Sequence, residues 1–182
     1  MTLDIVPYGH PALRAKGRRI ENIDARIRTL ASEMLETMYA AEGVGLAAQQ
    51  VGLPVQLCVL DVKGVKDRPS TLRIGGHAVE IADHMPLVLI NPEIEPFGNP
   101  ETGVEGCLSF PGVRSDVTRP AAVRVKAQSL NGKILEFEAG GLLARAIQHE
   151  HDHLHGILFI DRVSAAERER IEAEMIDAPS HV

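Results

Sequence analysis

The sequence has no tryptophan, only two cysteines, and 3% aromatic residues. Two cysteines are too few for the disulfide framework of a small secreted protein, so each is interpreted from its neighbours. Uninterrupted apolar runs such as 87–90 and 157–160 are far shorter than the ~18 residues that a membrane helix needs. The first residues contain Asp4 and prolines where a secretory signal needs a continuous apolar stretch. These absences predict a cytoplasmic protein without a membrane segment.

Long blocks of Lys and Arg are also missing, and the formal net charge is -6. A surface that binds nucleic acid needs clustered basic residues, so no direct nucleic-acid binding is expected. A chain of 182 residues, 45% of them hydrophobic, is near the size of one domain and can bury a sizeable core. We therefore expect a single domain over residues 1–182, in which 165–182 form a C-terminal helix and tail.

Periodic patterns predict helices at both ends of the chain. Apolar residues at helical spacing follow Asp24, a suitable N-cap, and predict an N-terminal helix through Met38. The segment Ser164-Ala-Ala-Glu167 has the pattern of a capping box and predicts a last helix through about Met175.

Between these helices, β-branched and alternating segments predict strands at 54–61, 87–94, 121–130 and 134–139. Cys58 is expected to pack within the first of these strands. Asn131-Gly132 is typical of a hairpin turn between the last two. Residues 63–85 show no clear period and predict a surface excursion.

Four of the eight histidines lie within the eleven residues AIQHEHDHLHG, 146–156. Apolar residues at helical spacing from Leu142 onward predict a central helix that stops near Gly156. His149 and His153 are one turn apart on one face, so both imidazoles can reach a single ion, and Glu150 flanks the same edge. In an H-E-x-x-H pattern the carboxylate is not a ligand and takes a proton from water that the metal activates.

A solvated polar helix is the alternative interpretation of the same segment, and a third ligand is needed to choose between the two. The other histidines are assigned to exposed surface: His10, His77, His84, His151, His155 and His181. Together these elements predict the α+β class, with small antiparallel sheets packed around a central candidate metal-binding helix and with an N-terminal and a C-terminal helix.

Two further segments offer functional side chains. Cys107 in EGCLSFPG, 105–112, precedes a Pro-Gly turn, and a thiolate combined with two imidazoles suits zinc or ferrous iron. An isolated cysteine is more often buried and inert. The glycine-rich segment GVGLAAQQ, 43–50, follows a helix and lacks a P-loop lysine, so a nucleotide site is not expected. Either Gln49 or Gln50 could donate its amide to a developing oxyanion, and the residues alone do not choose between them.

The segments GVGLAAQQ, EGCLSFPG and QHEHDHLHG, in this order, resemble the three signature motifs of the bacterial peptide deformylases, and the resemblance extends over about residues 5–162. It implies that Cys107, His149 and His153 bind one divalent metal ion, Fe²⁺ in most such proteins, with Zn²⁺, Ni²⁺ or Co²⁺ as substitutes. It also implies roles for three more groups: Glu150 as general acid and base, and Gln50 and the backbone N–H of Leu108 as oxyanion donors.

The reaction implied by this resemblance is removal of the formyl group from the N-terminal N-formylmethionine of nascent polypeptides. The implied methionine pocket is lined by Val44, Leu142, Ala146 and the His149 ring, and Gly45 lets the backbone approach closely. In some family members a basic C-terminal helix docks on the ribosome. Here the last segment is rich in acidic residues, which argues against docking by this tail: Glu167, Glu169, Glu172, Glu174 and Asp177.

Two other classes of site use similar residues. A zinc metallopeptidase also contains H-E-x-x-H, but its third ligand commonly lies downstream, where Asp161 and the glutamates of the last helix are the candidates. A structural zinc site needs four protein ligands, with Cys58 as the spare cysteine. The three motifs together favour the deformylase over both.

Overall fold

The computed structural model describes residues 1–177. Its α-helices are α1 (Ala25–Ala40), α2 (Gly141–Leu154) and α3 (Ala165–Asp177). Its strands are β1 (Gly45–Ala47), β2 (Leu57–Leu60), β3 (Ser70–Ile74), β4 (His77–Ala78), β5 (Leu87–Cys107), β6 (Phe110–Gln128) and β7 (Ile134–Gly140). None of the helices in this part of the chain is both long and apolar enough to cross a membrane.

The seven strands form one antiparallel sheet in the order β1-β2-β5-β6-β7-β3-β4. The predicted α+β class with antiparallel strands and two terminal helices is confirmed. The strands make a single sheet instead of several small ones, because β5 and β6 are 21 and 19 residues long and connect both halves. Cys107 pairs with Phe110, so the two strands are joined by the two-residue turn Leu108-Ser109.

The strands extend well beyond the segments that the sequence pattern predicted. The predicted strand 87–94 continues to Cys107, through a part that is mostly exposed and contains Pro96, Pro100 and three glycines. Because this arm of the hairpin pairs mainly with its partner strand and buries few of its side chains, its sequence carries little apolar alternation. The segment 63–85 contains β3 and β4, and β3 pairs with β7. It is therefore part of the sheet and not only a surface excursion.

Helix α1 begins where the sequence predicts. The Asp24 side chain accepts a hydrogen bond from the Ile27 N–H at 3.1 Å and caps the first turn. Met34 and Met38 are fully buried and pack in one cluster with Leu46 of β1. The helix thus packs against β1, the edge strand that the glycine-rich segment 43–50 contains.

Helix α2 is the central helix, and twelve of its fourteen residues are buried. It starts at Gly141, where φ is +66° and a Cβ atom would lie 2.1 Å from the carbonyl oxygen of Pro69, so that the position requires glycine. Gly156, with φ of +72°, follows its C-terminal end as predicted. Since α2 is enclosed on nearly all sides, its polar side chains need partners inside the protein.

Helix α3 packs on the turn end of the β5–β6 hairpin. Ser164 Oγ accepts a hydrogen bond from the Glu167 N–H at 3.2 Å, which is one of the two bonds of the predicted capping box. The Glu167 carboxylate accepts from Ser115 and Arg170 instead of from the Ser164 N–H. Ile171 is fully buried in a cluster with Phe110 and Phe159. The predicted tail beyond Asp177, with His181, lies outside the described residues.

Candidate active site

The structure brings three predicted metal ligands together. The ligand atoms of Cys107, His149 and His153 all lie within 4.8 Å of one another. Cys107 ends β5 beside the hairpin turn, whereas both histidines come from the buried face of α2. The Cys107 Sγ atom is 3.3 Å from His153 Nε2. This arrangement of one thiol and two imidazoles is placed to bind a divalent metal ion.

The surroundings of His149 favour positive charge at this point. Its Nδ1 atom is 2.8 Å from Glu105 Oε1, which leaves Nε2 as the nitrogen available to a metal. Burial lowers the pKa of His149, but the hydrogen bonds with Cys107 and Glu105 raise it by more, so that the pKa is well above its ordinary value. A bound cation would supply the positive charge that these groups favour.

Glu150 is next to the metal-binding group and is 4% exposed. Burial is the main cause that raises the pKa of its carboxyl to about 7. Its Oε2 atom has no hydrogen-bond partner among the described residues. A carboxyl group with a pKa near neutral can both accept and release a proton at physiological pH.

Gly45 leaves the room that this carboxyl group occupies. A Cβ atom at Gly45 would lie 2.6 Å from Glu150 Oε1, closer than real Cβ contacts allow. The glycine of the GVGLAAQQ segment therefore leaves room for the Glu150 side chain.

The two neighbouring glutamines point in different directions. Gln50 accepts a hydrogen bond from the Ala47 N–H at 2.9 Å through Oε1, so its NH₂ group faces the cleft, 3.4 Å from both Cys107 Sγ and Ser109 Oγ. Gln49 is fully buried on the other side, where Nε2 is 3.5 Å from the Ala15 carbonyl oxygen. Geometry thus separates two residues that the sequence left equivalent.

A cleft of about 640 Å³ leads to this group. The predicted substrate residues Val44, Gly45, Leu142 and Ala146 all line it, and Gln50, Cys107, Leu108, His149 and Glu150 line it as well. His153 is 1% exposed and lies behind the other ligands. A cleft lined by both apolar and polar residues that ends at a cluster of polar groups is typical of a ligand-binding site.

Several residues of the cleft and its support are absent from the sequence prediction. Val65, Asp67 and Arg68 of the 63–85 segment line the cleft. Their own segment has no periodic pattern, so only the folded chain places them there.

Buried charges also surround the ligands. Glu105 accepts two hydrogen bonds from Arg119, at 2.6 and 2.9 Å, besides its contact with His149. Burial alone would raise the pKa of Glu105, but the hydrogen bonds from His149 and Arg119 outweigh it and hold the pKa well below its usual range. Asp152 accepts from both Arg119 and Arg162. Glu105 and Asp152 are acidic residues within two of the signature motifs and close in sequence to the proposed ligands, so the sequence could have indicated them. Nothing in the sequence around Arg119 indicates its role.

The candidate ligands of the two alternative kinds of site, Cys58 and Asp161, are not part of the donor group found in residues 1–177. Cys58 is buried in β2, as predicted. Asp161 pairs with Arg14 and Arg168. The third donor is thus the upstream Cys107, which supports neither the metallopeptidase pattern nor a four-ligand structural site.

The other histidines of residues 1–177 are not part of the donor group. His10, His77 and His155 are exposed, and His84 and His151 are half-buried. The rings of His151 and His155 lie next to each other, with centroids 4.4 Å apart and planes tilted by 36°.

Comparison with known proteins agrees with this geometry. The sequence profile of the polypeptide deformylase family matches residues 2–169. A peptide deformylase from Methylacidiphilum infernorum (isolate V4) is 51% identical over 175 residues, which are 96% of this chain and 92% of that protein.

Solved structures are similar over the same length. A peptide deformylase from Legionella pneumophila is 35% identical, with a TM-score of 0.83 over 97% of this chain and 94% of that chain. One from Synechococcus elongatus in complex with actinonin is 42% identical, with a TM-score of 0.81 over 97% of this chain and 87% of that chain. The chain therefore belongs to the polypeptide deformylase family.

Proposed function

We propose that Cys107, His149 and His153 hold the catalytic metal and that Glu150 transfers the proton in the reaction of this family. As a member of it, the chain is a metal-dependent hydrolase that removes the formyl group from the N-terminal N-formylmethionine of nascent polypeptides and releases formate. One observation carries the assignment. Three donor atoms lie within 4.8 Å of one another, and they share a cleft of about 640 Å³ with Glu150, whose buried Oε2 atom has no hydrogen-bond partner in residues 1–177.

The donor set suits a divalent ion of intermediate softness. A thiolate and two imidazoles accommodate Fe²⁺, Zn²⁺, Ni²⁺ and Co²⁺, and Fe²⁺ is the proposed native ion. When bound, such an ion acts as a Lewis acid that lowers the pKa of water and so provides a nucleophile at neutral pH. Glu105 would keep the His149 ring oriented for this, because it accepts the hydrogen bond from Nδ1.

Glu150 is the proposed general acid and base. Its Oε2 atom is free of protein partners in the described residues and can take a proton from the attacking water. With a pKa of about 7, the same carboxyl group can then give the proton to the departing nitrogen. The products are formate and the free amino group of methionine.

Gln50 and Leu108 are the proposed oxyanion donors. The Gln50 NH₂ group is directed towards Cys107, because its Oε1 atom is held by the Ala47 N–H. Leu108 lies in the turn next to Cys107, and its backbone N–H would be the second donor. Donors fixed before the reaction stabilise charge that develops on the formyl oxygen in the transition state.

The proposed methionine pocket is formed by Val44, Leu142 and Ala146, which line the cleft beside His149. Burial of the apolar side chain supplies binding energy at a distance from the reacting bond. An unbranched thioether side chain adapts to irregular apolar surfaces such as the one that these three residues form.

The proposed substrates are nascent chains in the cytoplasm. We do not propose that α3 docks on a ribosome, because its two arginines form ion pairs within the protein. Arg168 pairs with Asp161 and Glu172, and Arg170 pairs with Glu167 and Glu174. The basic groups of α3 are thus already neutralised within the protein, which weakens their attraction for RNA phosphates.

Glu150→Gln tests the assignment, with Cys107→Ser as its matched partner. Glu150→Gln should keep the metal and lose formate release from formyl-Met-Ala-Ser, because an amide cannot accept the proton. Cys107→Ser should lose or loosen the metal, because a hydroxyl is a poor ligand at neutral pH. Metal content is measured on the same anaerobic preparations as activity.

Two results would contradict the proposal. One is hydrolysis of unformylated Met-Ala-Ser by the wild type at a rate like that of formate release, which would indicate a peptidase. The other is full activity with full metal content in either variant.

A further inference from the structure

Arg145 is a buried arginine on the helix that carries the two histidine ligands, one turn before His149. It is 8% exposed and lines the cleft. Residues four positions apart lie on the same face of a helix, so Arg145 and His149 project from one face of α2, and both contact Glu105. The proposed reaction assigns it no role.

The guanidinium group of Arg145 connects α2 with both arms of the β5–β6 hairpin. Its Nη1 atom donates to Glu105 Oε2 at 2.9 Å and to the Val117 carbonyl oxygen at 2.7 Å. Its Nη2 atom donates to the Glu101 carbonyl oxygen at 2.8 Å. Glu101 belongs to β5 and Val117 to β6, so one side chain fixes the helix against two strands.

A glycine leaves space for this connection. A Cβ atom at Gly103 would lie 3.2 Å from three atoms of the Arg145 guanidinium group, which is tighter than most real contacts. Position 103 has no positive φ, so its backbone conformation does not require glycine. Close contact with Arg145 is thus the steric constraint that the structure shows at this position.

The connection matters because the metal ligands come from two elements. Cys107 lies on the hairpin and both histidines lie on α2, so the shape of the site depends on how these elements are held together. Glu105 takes part in the same contact, because its Oε1 atom faces His149 Nδ1 while its Oε2 atom accepts from Arg145. Arg119 also holds Glu105, but through β6, and it reaches α2 at Asp152, beyond His149.

We propose that Arg145 is a positioning residue for the metal site, which sets the distance and orientation between the Cys107 thiolate and the histidines of α2. This inference rests on the proposed function, since it assumes that these three residues bind the metal. Without Arg145, Glu105 would keep Arg119 and His149 as partners, but the helix would lose its links to Glu101 and Val117. The ligand atoms would then be held less tightly in the geometry that the ion requires.

Metal exchange tests this role separately from catalysis. The wild type, Arg145→Met and Arg145→Lys are loaded anaerobically with Co²⁺, and the thiolate-to-cobalt absorption and the rate of Co²⁺ transfer to excess chelator are measured. Removing a residue that supports a ligand typically costs about 10–100-fold in metal affinity, so Arg145→Met should release Co²⁺ about tenfold faster or more and with an altered spectrum. Arg145→Lys should be intermediate, because it keeps the charge but cannot make all three contacts.

Two further variants keep the test decisive. Arg124→Met is the matched control, because Arg124 is an exposed arginine of β6 paired with Glu95 and Glu138. It should release Co²⁺ at the wild-type rate. Gly103→Ala displaces the guanidinium group without removing it, so it should release Co²⁺ faster than the wild type even if Arg145→Met does not fold.

The results distinguish failure of the positioning role of Arg145 from failure of the proposed metal site. Wild-type release rates and spectra in Arg145→Met, or in Gly103→Ala if Arg145→Met does not fold, would overturn the positioning role, even if the variant melts at a lower temperature. Absence of a thiolate-to-cobalt band in the wild type would instead refute the proposed metal site itself.

Discussion

Gln49 and Gln50 are chemically identical neighbours, and the structure predicts different consequences when each is changed to alanine. Gln50 directs its NH₂ group towards Cys107, whereas Gln49 directs its NH₂ group towards the Ala15 carbonyl oxygen on the opposite side. We therefore expect Gln50→Ala to impair the chemical step and Gln49→Ala to impair stability.

The size of each effect follows from the contacts. Loss of one preorganised oxyanion donor costs about 10²–10³ in kcat, or about 2.7–4 kcal/mol, so this is the expected loss for Gln50→Ala. KM should change less, because charge on the formyl oxygen grows mainly in the transition state.

Gln49 is fully buried, but its hydrogen bond is long at 3.5 Å and its Oε1 atom lacks a partner in the described residues. Its removal leaves a cavity and one lost weak contact, which should cost about 1–2 kcal/mol of the free energy of unfolding. For a protein of this size, this corresponds to a decrease in Tm of about 2–4 °C per kcal/mol.

The assay is formate release from formyl-Met-Ala-Ser by preparations of equal metal content, with thermal unfolding measured in parallel. Gln49→Ala should keep a kcat near that of the wild type. Loss of kcat in Gln49→Ala with full kcat in Gln50→Ala, or full kcat in both variants, would refute the oxyanion role of Gln50.

Two other changes test single residues. Gly45→Ala should lower kcat about 10–100-fold with the metal retained, because the new Cβ atom, 2.6 Å from Glu150 Oε1, displaces the carboxyl group; wild-type kcat with retained metal would contradict this. For Asp161, burial raises the pKa, but the hydrogen bonds from Arg14 and the Leu158 N–H lower it by more, so the folded-state pKa is below its usual value. Its carboxylate therefore stabilises the fold above the ordinary pKa of about 3.9, and this contribution is lost as pH falls through the folded-state pKa. Asp161→Asn should have a lower Tm than the wild type at neutral pH, and the difference should shrink as pH falls below the ordinary pKa of about 3.9; a constant difference would exclude this titration.

The sequence by itself determined the features that depend on near neighbours. Helical spacing places His149 and His153 on one face, and the Asp24 and Ser164 side chains cap the helices that the pattern predicts. The Gly156 stop and the Asn131-Gly132 turn are local in the same way. These features are encoded within a few residues, because helix geometry and turn chemistry act over one or two turns of the chain.

Tertiary structure decided the rest. Cys107 is 46 residues from His153 along the chain, and its place beside the imidazoles depends on the hairpin and on α2 meeting across the core. The different orientations of Gln49 and Gln50 depend on which side of the short segment faces the cleft. Sequence periodicity cannot show this, because both residues are buried.

The buried charged residues show this dependence on tertiary structure most clearly. Arg119 and Arg145 are separated in the sequence by 26 positions, yet both donate to the Glu105 carboxylate that holds His149. A charged side chain is stable in the interior when opposite charges and carbonyl oxygens surround it, and those partners come from distant strands. The sequence therefore determined which residue types could bind a metal, and only the folded chain determined which charges hold them in position.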